Sequence, residues 1–241
     1  AQAVAAMALG TESVPRVQKI VGPGNVYVTS AKMLLRNEVE IDFPAGPSEI
    51  GVLADASADA EFLAADLIAQ AEHDPSAASI MITDDPNLPD EVWGHIEKML
   101  ENQPRKEIIL KALDNSGYIF ATDMELAVDI MNRIAPEHLS IQTSNPMDML
   151  NKVKNAGSIF IGPYTPVAAG DYASGTNHVL PTAGHSTTAS GLNVAHFRKT
   201  STVQKLTPDG LGSIASTIQT IAEAEGLQAH SDSVGIRFEK E

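Results

Sequence analysis

The chain has 241 residues, 43% hydrophobic and 20% charged, with 31 acidic against 16 basic residues and a net charge of -15. A chain of this length can bury a sizeable core as roughly one to two domains, and its apolar content excludes wholesale disorder. The acid excess argues against a polyanionic partner such as nucleic acid, which wants a basic face, and the absence of cysteine excludes disulfides, thiolate metal sites and thiol nucleophiles. Any metal must then be held by His, carboxylate or amide groups. The longest unbroken apolar run, Ala3 to Leu9, is far short of the about 20 residues a spanning helix needs. The opening Ala1-Gln2-Ala3 lacks methionine and a charged region ahead of an apolar one, so it is not a signal peptide. It reads as the middle of a longer chain.

Ala1 to Gly10 is expected to be helical, with Gly10 as its cap. The short apolar run Val17 to Val21 precedes Gly22-Pro23-Gly24-Asn25, and a helical pattern covers Val26 to Asn37. Pro44-Ala45-Gly46-Pro47-Ser48 is a stiff loop. From Glu49 the pattern alternates. Ile50 to Ala54 is a strand, and Ser57 is placed to cap a helix reaching His73. Ile80 to Thr83 is the next strand, with helices over Pro89 to Asn102 and Lys106 to Asp114. Tyr118 to Ala121 is a strand, Asp123 caps a helix to Ile134, and His138 to Gln142 is a strand. Pro146 opens a helix and Ser158 to Ile161 is a strand. Strands alternating with helices imply a mainly parallel sheet covered on both faces. Gly162 to Ser190 has no lasting period, and a loop this long is usually functional or disordered. Thr207 caps a helix from Pro208 to Ala224, and Ser233 to Phe238 can form a strand in a small terminal subdomain.

Gln70 and His73 fall on one face of their helix, where an amide oxygen and an imidazole can share a borderline metal such as zinc. The same residues also suit a polar helix end. Glu137 and His138 follow Pro136 at the start of a strand. They can supply two proton-transfer groups, or form a plain helix-to-strand connection. Gly170-Asp171-Tyr172-Ala173-Ser174-Gly175-Thr176-Asn177-His178 packs an acid, a His and hydroxyls into one loop, as a binding loop does, although a solvated loop can match it. Glu225 and His230 form a further acid–His group after the last helix. Gly22-Pro23-Gly24-Asn25 can place a helix N-terminus against a phosphate, or be a simple turn. His95, His185 and His196 have no obvious partners.

In this order and spacing, Gly22-Pro23-Gly24-Asn25, Pro44 to Glu49, Gln70 to His73, Pro136 to Leu139, the Gly170–His178 loop and the Glu225–His230 tail resemble the histidinol dehydrogenase family. The resemblance covers essentially the whole chain. It implies zinc- and NAD-dependent oxidation of L-histidinol through L-histidinal to L-histidine, in histidine biosynthesis in the cytoplasm. It implies Glu137 and His138 as the catalytic pair, and Gln70, His73, Asp171 and His230 as zinc ligands. Ser48, His138 and Glu225, with the zinc ligands, would contact substrate, and Gln2 and Asn25 would contact NAD. It implies a homodimer in which Glu225 and His230 reach the neighbouring subunit's site. The family's chain is nearly twice as long, so the resemblance implies a C-terminal part with an incomplete NAD pocket. The expected architecture is α/β: an incomplete Rossmann-like parallel sheet layered with helices, plus a small helical or extended C-terminal subdomain. Residues 1–47 would end one NAD-contacting domain, 48–190 would form the main α/β domain, and 191–241 the swapped tail. Other readings stand beside this one: a sister dehydrogenase of another small alcohol, a non-catalytic zinc-binding or dimerisation module, or a zinc hydrolase in which Glu137 activates water.

Overall fold

A computed structural model describes residues 1–239. Contacts divide the chain into one compact unit, Ala1–Phe197, and a second that begins at Arg198. The first unit opens with α1 (Gln2–Leu9), which stops at Gly10 with φ 78°, a left-handed backbone that glycine accepts freely. Strand β1 (Lys19–Ile20) lies parallel to β2 (Glu40–Ile41), with α2 (Val26–Leu35) between them in sequence. Val4, Ala8, Ile20, Ala31 and Val39 bury against one another as a small core of their own. The expected α2 boundary at Asn37 moves back to Leu35, and the apolar run at Val17 yields only a short strand.

The main sheet contains β3 (Glu49–Ala54), β4 (Ala78–Thr83), β5 (Gly117–Phe120), β6 (His138–Gln142) and β7 (Ser158–Ile161). Every pairing is parallel, in the order β5-β4-β3-β6-β7. The chain therefore builds outward from β3 in one direction, returns, and builds outward in the other. That reversal sends the helices to opposite faces. On one face α3 (Ala60–Ala71), α4 (Leu88–Leu100) and α5 (Lys106–Leu113) bring Leu63, Leu67, Val92, Ile96 and Ile109 against Ile50, Val52 and Met81. On the other, α6 (Met124–Ile134) packs Val128 and Met131 on Leu53, Ile82, Leu139 and Ile141, with α7 (Pro146–Leu150) beside it. The central strands are covered on both sides, so β3 reads as an apolar run, whereas β6 alternates in sequence although all five of its residues are buried.

Other differences from the expected elements have local causes. The helix after β3 is capped by Asp59, whose carboxylate accepts the Glu61 and Phe62 N–H groups at 2.9 and 3.2 Å. Ser57 instead donates its hydroxyl to Asp55. The aperiodic stretch after β7 contains a short helix, α8 (Val167–Tyr172), hidden in the sequence by its brevity and by Gly170. In the second unit Thr207 caps α9 (Pro208–Ala224) as expected, its hydroxyl oxygen accepting from Gly210 N–H at 3.1 Å. The expected strand from Ser233 to Phe238 is not formed. Ser233 to Gly235 belong to α10 (Gln228–Gly235), and Ile236 continues its hydrogen bonding to the carbonyl of Asp232. Val234 is buried and Ser231 donates to Glu223 at 2.9 Å, so packing on α9 outweighs the apolar pattern. No helix among the described residues is long and apolar enough to cross a membrane.

The Asp59 cap predicts that Asp59→Ala costs about 1 kcal/mol in a denaturant titration. Ser57→Ala is expected to cost under about 0.5 kcal/mol, as for an exposed hydroxyl. A larger loss at Ser57 would return the cap to that residue.

Candidate active site

Glu49 opens β3 and His138 opens β6, and the register sets Ile50 opposite His138. Their amino ends therefore lie side by side. The turn into β6 is made by Ala135, which caps α6 at φ 52° before Pro136 delivers Glu137. Glu137 and His138 are only 6% and 4% exposed. One residue's backbone holds both. Glu49 N–H donates to Glu137 Oε2 at 3.0 Å, and the Glu49 carbonyl lies 3.2 Å from His138 Nδ1. A carbonyl only accepts, so Nδ1 carries a proton, and in the neutral form of the ring the lone pair lies on Nε2. That Nε2 is buried, has no hydrogen-bond partner, and lies 3.7 Å from Asp171 Oδ1.

These contacts set the electrostatics. Burial pushes the Glu137 carboxyl up to about 7, against the opposing pull of His138 and the Glu49 N–H. Burial alone would lower His138; Asp171, Glu137 and the Glu49 carbonyl outweigh it, and the net direction is up. Asp171 is held below the ordinary carboxylate range, first by His138 and further by the charge of His73 and His178. At 3.7 Å the Asp171–His138 contact is longer than a hydrogen bond, so we ascribe it to charge attraction. Glu49 is raised by burial, with the Ala183 N–H opposing. Its Oε1 accepts that N–H at 2.9 Å, in a turn where Ala183 and Gly184 have successive φ values of 53° and 76°. Such a turn aims its N–H groups at an anion. The Thr182 hydroxyl also accepts from Gly46 N–H, so residues 46–49 are laced to 182–184. Sequence reasoning gave the Glu49 side chain no role. Its partner Ala183 lies 134 residues away, and the backbone's partner Glu137 lies 88 away, so no local pattern announces either.

A cleft of about 660 Å³ opens over this cluster. Asn25, Ser48, His73, Glu137, His138 and Asp171 all line it, as do Gly24, His178 and Thr182. His178 lies in the Gly170–His178 loop, where the sequence alone gives it no separate role. Gly170 lets Asp171 approach: a Cβ there would sit 2.6 Å from the Phe160 ring, which itself packs 5.9 Å from the His138 ring. Gln70 lies just before His73, at the end of α3, and is 2% exposed with both amide atoms buried and unpartnered. An unpaired buried amide costs about 1–3 kcal/mol, so this side chain fits a place beside a ligand. Among the described residues no group of three or more His, Asp or Glu is gathered closely enough to hold a metal. His73 and Asp171 at the cleft, and the Gln70 amide three residues before His73 near the end of α3, are nitrogen and oxygen donors of the kind zinc accepts. Gln2 is exposed on α1 and is not among the residues lining the cleft. Glu225 and His230 are exposed residues of the second unit, at the end of α9 and on α10.

At the opposite, carboxyl end of β3 and β6, Asp55 accepts from the backbone and hydroxyl of Ser144, both at 2.8 Å, and from Ser57 N–H at 2.9 Å. This is the usual ligand crevice of an open α/β sheet. Here it carries a structural tie, and the polar cluster lies at the amino ends instead.

The raised Glu137 has a consequence for stability. Above the ordinary carboxylate range and up to about pH 7, the folded chain keeps a proton that the unfolded chain has released. The contribution is complete at low pH and is lost as pH rises through about 7. In metal-free protein, Glu137→Gln is expected to raise the thermal midpoint at pH 8 more than at pH 5. Equal shifts at both would contradict the assignment.

The sequence profile described as Histidinol dehydrogenase matches residues 1–238. A histidinol dehydrogenase of Methanosarcina mazei is 54% identical over 237 residues, covering 98% of this chain and 55% of the relative. One from Aliivibrio fischeri is 53% identical over 243 residues, covering 100% of this chain and again 55% of the relative. The crystal structure of histidinol dehydrogenase from Elizabethkingia anophelis superposes with a TM-score of 0.95 at 44% identity, over 99% of this chain and 55% of that one. The chain thus spans little more than half the length of these relatives, and over that span it belongs to the histidinol dehydrogenase family.

Proposed function

We propose that this chain carries the catalytic groups of a zinc- and NAD-dependent enzyme that oxidises L-histidinol through L-histidinal to L-histidine, within cytoplasmic histidine biosynthesis. The observation that carries the reading is the buried Glu137–His138 pair held by Glu49, with Nε2 of His138 unpartnered beside the cleft. The unpaired amide of Gln70 supports the metal part.

In this reading Gln70, His73 and Asp171, with His230 from a neighbouring subunit, hold zinc. When bound, zinc supplies a template for the substrate's imidazole and amine, with some Lewis-acid help. When bound, NAD accepts one hydride in each oxidation, and Asn25 and Gln2 contact it. Ser48 and Glu225 meet the polar ends of the substrate, and Glu225 and His230 make the site depend on a homodimer.

His138 takes the carbinol proton on Nε2 as the hydride departs, leaving histidinal. The Nδ1–H stays bonded to the Glu49 carbonyl, so the ring does not turn away as its charge changes. Glu137, pushed up to about 7, then takes a proton from water as the water oxygen adds to the aldehyde carbon, and His138 returns its first proton to the carbonyl oxygen, which gives the hydrate. His138, free of its first proton, takes another from the hydrate as the second hydride leaves. No thiol is needed for the aldehyde step, in keeping with a chain that has no cysteine.

The test is turnover by the natural full-length protein. Histidinol is expected to yield two NADH per molecule oxidised, whereas NADH from other alcohols but not from histidinol would refute the substrate assignment. His73→Ala and Asp171→Ala are each expected to lose zinc by metal analysis. Glu137→Gln is expected to keep zinc and to slow histidinal oxidation about 10²-fold or more, beyond its effect on histidinol.

A further inference from the structure

A buried charge cluster outside the catalytic pair has no part in the chemistry above. Lys32, on α2, is 3% exposed, and the side chain of Asp42, just past β2, is fully buried. Lys32 Nζ donates to Asp42 Oδ1 at 2.8 Å and to the Gly22 carbonyl at 2.5 Å. Asp42 Oδ2 in turn accepts from Gly22 N–H at 2.8 Å. The ion pair therefore closes a ring through both polar groups of one residue.

Gly22 is the first residue of the loop whose next members, Pro23, Gly24 and Asn25, line the cleft. At its far end the loop is fixed again, because Asn25 Oδ1 accepts the Tyr27 and Val28 N–H groups and caps α2. Using the side-chain oxygen for capping leaves the Asn25 amide NH2 as the group able to serve a ligand. Gly22 has φ 121°, a conformation that side-chain-bearing residues rarely adopt and that an unanchored loop would readily leave.

Stability alone does not explain the pair. Removing two charges from water costs about what their attraction returns, and an apolar pair of similar volume commonly stabilises as well or better. What an apolar pair cannot do is hold the N–H and C=O of Gly22.

We propose that Lys32 and Asp42 are positioning residues for the nicotinamide dinucleotide: they fix Gly22 so that Pro23, Gly24 and Asn25 meet the cofactor preformed. This inference rests on the NAD reading above and adds the residues that pre-order the loop. A loop ordered before binding has no ordering cost to meet when the ligand arrives.

The experiment uses the natural full-length protein and the double variant Lys32→Met/Asp42→Leu, which leaves no lone buried charge. NAD affinity is read by calorimetry, histidinol affinity is read without NAD, and thermal midpoint and amide exchange are read at residues 22–28. The double variant is expected to keep its midpoint and its histidinol affinity, to bind NAD about tenfold or more weakly, and to exchange faster at Gly22, Gly24 and Asn25. Asp42→Asn, which keeps the shape and one acceptor oxygen, is expected to fall between, and it decides the matter if the double variant does not fold. Unchanged NAD affinity or unchanged exchange at these amides in a folded variant overturns the inference. Wild-type protein that binds histidinol and zinc but no NAD overturns the NAD reading itself, and this inference with it.

Discussion

The arrangement of the site depends on the register between β3 and β6. Because the two strands are parallel neighbours, with Ile50 opposite His138, the backbone of Glu49 faces both Glu137 and His138. A backbone group has no rotamers, so the pair is oriented by the sheet and not by another mobile side chain. A slip of one residue would exchange the two faces of the strand and turn His138 away from Phe160 and Asp171. The apolar positions Leu139 and Ile141, packed under α6, prevent that slip. Core packing on one side of the sheet thus sets the direction of an imidazole on the other.

Burial then gives the oriented groups their character. Glu137 is raised because it is taken from water with one backbone donor to support its charge. Asp171, less buried and facing positive charge, stays ionised more readily. Carboxylates in one cleft are driven apart in proton affinity by environment alone, the arrangement from which acid and base roles arise. Glu49 adds a third carboxyl whose work is mechanical, tying the entry of β3 to the Ala183–Gly184 turn.

Much of this was legible in the sequence where the signal is local. The strands of the main sheet, the Asp123 and Thr207 caps and the Pro146 helix start all follow from short-range chemistry. Local chemistry misled where two residues competed for one role, as Ser57 and Asp59 did for a cap. It misled again where tertiary packing outweighed an apolar pattern, as in α10. The convergence of Asn25, Ser48, His73, Glu137, His138 and Asp171 on one cleft came from matching several motifs in order, not from any single spacing. The roles of Glu49, Lys32 and Asp42 were invisible because each depends on partners that only the fold brings near.

The bare amide of Gln70, near the end of α3, is polar capacity that the folded chain leaves unused. It is a point of local frustration: a polar group removed from water on a helix whose Leu67, Ile68 and Ala71 are buried too, with no hydrogen bond in return. A ligand that pairs with it removes that penalty as well as making its own contacts. A ligand bound by the folded chain alone stabilises it by mass action, and pairing with this amide would add to that gain. Thermal stability would thereby report whether that amide has found a partner.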